Sequence, residues 1–326
     1  MTPIHRRSLI ALVGATALWG LSFPLVKCLL LEQQALAPAA GSWFLSAWGL
    51  ATRFLLAALV LLPWILKSGV RPDEWKQGAK LAFWCGIGMW FQADGLAHTA
   101  ASTSAFLTQG YCLLLPLWAA FRQKRNPGLR AWVAVAMVII GGAWISGVSP
   151  GNLRLGRGEI ETLLAALFFT FQILGLEDPK YHHNRGLQVA FVMFAAVGAL
   201  FVPISMATAP ALSDVLAVGA NTDVLLLLVA ITLFSTVGAY SLMIGFQRGV
   251  TATEAGLIYC GEPIFTALNV LFLPAMLAAW TGNVYPNETW TTAMIGGGLL
   301  ITIANVLVQL RPPNGKDGSE KTHPPV

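Results

Sequence analysis

Leu9–Leu31 reads LIALVGATALWGLSFPLVKCLLL, 23 residues carrying one charge, Lys27, directly after Arg6-Arg7 and Ser8. A helix of about 20 apolar residues crosses the hydrocarbon core of a bilayer. The run is also longer than the apolar region of a secretory signal, so it is expected to remain as a first span. Nine more apolar segments follow, at 44–66, 79–97, 101–121, 131–148, 158–176, 187–207, 224–246, 255–279 and 291–310. Barrel strands would be half as long and would alternate in polarity, so helices are the spanning form.

Drawing the ten segments as alternating spans sorts the basic residues. One side receives Arg6, Arg7, Lys67, Arg71, Lys76, Lys80, Arg122, Lys124, Arg125, Arg130, Lys180, Arg185, Arg248, Arg311, Lys316 and Lys321, and the other only Arg154 and Arg157. Lys27 and Arg53 fall inside spans. Short loops rich in Lys and Arg stay cytoplasmic during insertion, so both termini are expected in the cytoplasm, with the chain integral to the cell (inner or plasma) membrane. Hydrophobic residues make up 56% of the chain and charged ones 11%, which excludes an ordinary soluble domain. The net charge of +5 follows from the loop asymmetry and gives no reason to expect nucleic acid. Cys28, Cys85, Cys112 and Cys260 all fall in spans without metal-ligand spacing, so neither a metal nor a cofactor is expected. The polar, proline-rich tail 312–326 is expected to be a disordered cytoplasmic segment.

A faint internal repeat sets the organisation. GLAHTAASTSA at 95–105 aligns with GFQRGVTATEA at 245–255, matching Gly95 to Gly245, Thr103 to Thr253 and Ala105 to Ala255, with Leu107 and Leu257 just beyond. One copy is an outer loop and the other an inner loop, and each enters a span holding a proline, Pro116 or Pro263. A duplicated unit with an odd number of spans must insert its second copy upside down. The expectation is an all-α integral membrane protein of ten transmembrane helices, built as two inverted five-helix repeats over 1–150 and 151–311.

The segment Trp19-Gly20-Leu21-Ser22-Phe23-Pro24-Leu25-Val26-Lys27 resembles the first helix of the EamA-type group of the drug/metabolite transporter superfamily. Arg53-Phe54, Gly95-Leu96, Thr99-Ala100 and Glu262-Pro263 continue the resemblance in order. The long first outer segment, Glu32 to Trp43, and Asp94 depart from it. The resemblance implies a central cavity lined by parts of helices 1, 3, 4, 6, 8 and 9, which opens alternately to the two sides. It also implies a small-metabolite cargo, such as an amino acid or related solute, often exported.

Residue chemistry leads to the same region. A charge in hydrocarbon costs about 2.5–3.5 kcal/mol on insertion scales and faces a partner or a cavity. Arg53 lies mid-span, Lys27 near an outer helix end, Glu262 before a helix-breaking proline, and Asp94 one turn from His98. Each has a structural alternative: an ion pair for Arg53, snorkelling for Lys27, local capping for Glu262 and interface solvation for Asp94. Trp19, Phe23, Trp90, Gln109, Gln172, Tyr240, Tyr259 and Glu262 are candidates to line an aromatic cavity, with helix–helix packing as the alternative for the tryptophans. The runs Gly141-Gly142 and Gly296-Gly297-Gly298 read as close-packing surfaces. No nucleotide-binding motif is present, so a secondary transporter leads. Its rivals are an intramembrane enzyme using Asp94, His98, Ser102 and Ser104, and a membrane sensor or assembly subunit. The expected partners are a small-molecule substrate and the lipid bilayer.

Overall fold

The computed structural model describes residues 3–122, 124, 126, 128–147, 155–176, 178–250 and 252–309. The expected tail 312–326 and the expected repeat boundary at 150 and 151 lie outside them. Among the described residues there is no strand. The helices are α1 (Pro3–Leu36), α2 (Ser42–Ser68), α3 (Pro72–His98), α4 (Ala101–Thr108), α5 (Gly110–Arg122), α6 (Leu129–Ile145), α7 (Arg157–Leu176), α8 (Gly186–Thr208), α9 (Leu212–Ala220), α10 (Thr222–Ala230), α11 (Ala239–Phe246), α12 (Ala252–Tyr259), α13 (Glu262–Asn269), α14 (Leu273–Thr281) and α15 (Thr292–Gln309). A π-helical stretch, Ile231–Gly238, joins α10 to α11.

Each of the ten apolar segments coincides with a helix or a broken helix. Six helical stretches are long and apolar enough to cross a membrane, and a seventh qualifies if the pair Leu257–Asn269 and Leu273–Thr281, bent by 55°, is one span. Leu129–Ile145 and Thr292–Leu307 are apolar but shorter. Many large apolar side chains point outward, among them Leu59, Ile139, Leu163, Leu200 and Phe234, as lipid-facing residues do.

Three segments expected as single helices are interrupted. The segment 101–121 breaks at Gln109, 224–246 carries the π-helical stretch, and 255–279 breaks at Cys260-Gly261 and again before Leu273. Hydropathy is blind to such breaks, because an apolar residue reads alike in either backbone. The α3 helix starts at Pro72, seven residues before its apolar run: proline suits a first helical turn, and the Glu74 Oε2 accepts from the Arg71 N–H at 2.7 Å. The short α9, in the connection after α8, was not anticipated.

Contacts between helices place the cavity. The principal pairings are α2 with α8, α3 with α7 and α6 with α15, while α1 packs on α11 and α13. The α6–α15 contact is backbone to backbone: a Cβ added at Gly141 would lie 2.7 Å from the Gly297 carbonyl oxygen. The small-residue runs therefore do act as a packing surface. The bundle has a near end, where α1 begins, and a far end, where α1 finishes.

Candidate functional site

The segments enclose a central cavity with about 1250 Å³ of empty space, its open mouth included. Trp19 and Phe23 on α1, Arg53 on α2, Gln172 on α7, Tyr240 on α11, Tyr259 on α12 and Glu262 on α13 all line it. Trp19 is edge-on to Tyr240, with ring centroids 5.7 Å apart, and to Tyr259, at 5.5 Å. Gly20 explains why Trp19 sits there. A Cβ at Gly20 would fall 2.6 Å from the Phe265 Cβ, so α1 rests directly on α13 and turns the preceding indole inward. The Trp19 indole N–H is buried without a partner among the described residues, leaving a donor at the cavity wall. The Tyr259 hydroxyl donates to Gln247 Oε1 at 3.0 Å.

Two ionisable side chains share this cavity. Arg53 is buried; its Nε donates to the Thr236 hydroxyl on the π-helical stretch, and its guanidinium lies 5.4 Å from the Phe54 ring. It forms no ion pair with a carboxylate among the described residues. Glu262 opens α13 immediately after the Cys260-Gly261 break and accepts from Gln109 Nε2 at 3.0 Å. Gln109 occupies the break between α4 and α5, so it holds Glu262 from behind and does not itself line the cavity. The breaks abut, with Cys112 Sγ and Cys260 Sγ 3.9 Å apart, and all four cysteines are buried free thiols.

The remaining candidates lie elsewhere. Trp90 is off the cavity lining: it donates to the Trp43 carbonyl at 3.3 Å and packs on the Trp43 and Phe201 rings. Lys27 does not snorkel. Its ammonium donates to the carbonyls of Leu96, Ala97 (3.3 Å) and Thr99 (3.0 Å), the open C-terminal end of α3, where a cation also meets the negative end of the helix dipole. Asp94 bonds Arg157. The supposed catalytic cluster is dispersed: His98 Nε2 lies 3.1 Å from Ser42 Oγ, Ser102 donates to Glu288, and Ser104 pairs with Thr162 at 3.2 Å. These contacts, with Thr99 donating to Glu159 at 2.6 Å, link the helix ends at the far end.

Several contributors escaped the sequence reading. Segments 2 and 7 also line the cavity, through Ser46, Gly49 and Met193 beside the candidate Arg53. Gln33, Ser46 and Gln92 line it as well, and the buried Gln33 amide and Ser46 hydroxyl lack partners among the described residues. At the near end, Glu74 accepts three bonds from Arg185, from its backbone N–H at 3.1 Å, Nε at 2.8 Å and Nη2 at 2.9 Å. Burial works against the Glu74 charge, but the Arg185 guanidinium and the backbone N–H groups of Arg71 and Arg185 outweigh it and hold the carboxyl at about 2. Polar residues inside apolar runs, and Glu161 four residues after Arg157, were the available signals.

Residues 6–147 match the EamA-like transporter family, part of the drug/metabolite transporter superfamily. An "Uncharacterized transporter" of Archaeoglobus fulgidus is 28% identical over 296 residues, which cover 90% of this chain and 83% of that protein. A solved crystal structure superposes with a TM-score of 0.52 over 90% of this chain and 95% of its own, at 17% identity, a likeness of fold alone. With the apolar helices, these findings indicate an integral membrane protein that is a transporter and not an enzyme.

Proposed function

We propose that this chain, with its EamA-family domain over residues 6–147, is a secondary transporter that moves a small carboxylate-bearing metabolite, an amino acid or related solute, outward by alternating access. The carrying observation is the cavity itself, which sets Arg53, without a carboxylate partner among the described residues, and Glu262 among the Trp19, Tyr240 and Tyr259 rings. Arg53 meets the substrate carboxylate in a bidentate manner, the rings cover its apolar part, and the Trp19 N–H supplies orientation.

The halves, 1–150 and 151–311, are read as inverted repeats of five spans each. The helix pairings support this, because exchanging the halves maps them onto one another: α3 on α7 corresponds to α11 on α1, and α4 and α5 on α7 to α12 and α13 on α1. The breaks after Thr108 and Tyr259 also fall at equivalent places, as discontinuous helices do in inverted-repeat transporters. With both termini cytoplasmic, as the basic-residue asymmetry favours, the near end faces the cytoplasm. The cavity's far-end residues Leu30, Gln33, Leu45 and Ser46 are buried, whereas Ile173, Leu176, Ile244 and Gln247 at the near end are half-buried, a pattern suited to loading from inside.

Counterflow in proteoliposomes, against a panel of amino and organic acids with and without an imposed pH gradient, tests the assignment. At least one acid should exchange through the native protein and fail to exchange through Arg53→Gln. Exchange of uncharged solutes only, unaffected by Arg53→Gln, would remove the carboxylate reading.

A further inference from the structure

At the far end, where α3 meets α7, two buried carboxyls face one cation. Asp94 is 2% exposed and Glu161 is 7% exposed. Arg157 Nη2 donates to Asp94 Oδ2, and Arg157 Nε to Glu161 Oε1 at 2.8 Å. The other two oxygens, Asp94 Oδ1 and Glu161 Oε2, are buried and receive no donor among the described residues. Both groups bond the same guanidinium, one through Nη2 and the other through Nε, which sets the two carboxyls side by side. Two ionised carboxylates are acceptors only and cannot bond; one proton between them serves both orphaned oxygens.

The backbone enforces this proximity. A Cβ at Gly95 would lie 2.9 Å from the Gly158 carbonyl oxygen, and one at Gly158 would lie 2.7 Å from that of Gly95. The helices therefore touch through glycine immediately beside Asp94 and one turn from Glu161. Among the described residues no second cation relieves the pair. Lys27 is committed to the α3 carbonyls. His98 is held below its ordinary value by burial and by Arg157, against the pull of Asp94. Glu159, bonded to Thr99, Glu288, which accepts from the Ala101 N–H and the Ser102 hydroxyl, and Glu32, bonded to Asn283, add acidity to this end.

We propose that Asp94 and Glu161 form a proton-binding site, the two carboxyls sharing one exchangeable proton beneath Arg157 at neutral pH. The Arg157 side chain, 47% exposed, connects the pair to solution at the far end, so the proton exchanges with water on that side. The assignment does not depend on which solute the cavity carries.

Infrared difference spectroscopy on purified protein in lipid nanodiscs tests it, in a Glu262→Gln background so that the cavity carboxyl does not contribute. A deuterium-sensitive protonated-carboxyl band equivalent to one group per chain is expected at pH 7. Both Glu161→Gln and Asp94→Asn should abolish it, since a single carboxylate facing Arg157 needs no proton. Absence of the band from the starting protein overturns the proposal without recourse to either variant, and so does survival of the full band in either one.

Discussion

Trp19 can hang over the cavity because its neighbour Gly20 lets α1 lie against α13. The pair was readable as a family-like motif, but which face it turned inward was not, since hydropathy treats every side of a lipid-embedded helix alike. Trp19→Ala and Tyr259→Ala are expected to cut exchange about tenfold or more while leaving folded protein in the membrane, because both rings face the ligand space. Equal losses of folded protein and of transport would assign the rings to packing. Arg53 and Glu262 share the cavity without forming an ion pair, so their coupling is expected through it. Arg53→Gln and Glu262→Gln should each be severe, and the double variant should lose less than the sum, by about 1 kcal/mol or more in a double-mutant cycle. Additive losses would separate the two residues. Glu74 supplies a pH signature at the other end of the bundle. Its folded value of about 2 lies below the ordinary ~4.3 of a glutamate, so its stabilisation is full above about pH 4.5 and disappears as pH falls through 2. Acid unfolding in detergent should show this component, and Glu74→Gln should flatten it while lowering stability at pH 7.

Among the elements, the glycine contacts and the breaks carry the architecture. Gly158→Ala would press its new methyl against the Gly95 carbonyl oxygen and the His98 backbone, 2.7 and 2.9 Å away. A destabilisation of about 1–3 kcal/mol is expected, read as a lowered melting temperature. The α6–α15 surface was legible because small-residue runs are a local signal, whereas the start of α3 at Pro72 lay outside its apolar run. The break at Gln109 was not legible, since its turn is held by Glu262 and by Asn305, whose Nδ2 lies 3.5 Å from the Gln109 carbonyl oxygen. Those partners are far away in the chain.

For the whole molecule, orientation is the open expectation, and it has a direct test. Leu129 at the near end and Val284 at the far end are 79% and 88% exposed, and the native cysteines are buried. In intact cells, Val284→Cys should react with an impermeant thiol reagent and Leu129→Cys should be protected; the reverse would invert the topology. The sequence by itself determined an all-helical chain with long apolar segments, because transfer into lipid is an energy summed residue by residue along the chain and every backbone group must be satisfied within its own helix. Tertiary structure alone decided who meets whom: Lys27 at the end of α3, Asp94 and Glu161 under Arg157, Glu262 against Gln109, and Trp90 on Trp43 away from the cavity. Those partnerships depend on which faces of separate helices come together, and in lipid, where an outward side is as apolar as an inward one, the pattern along a single helix does not say.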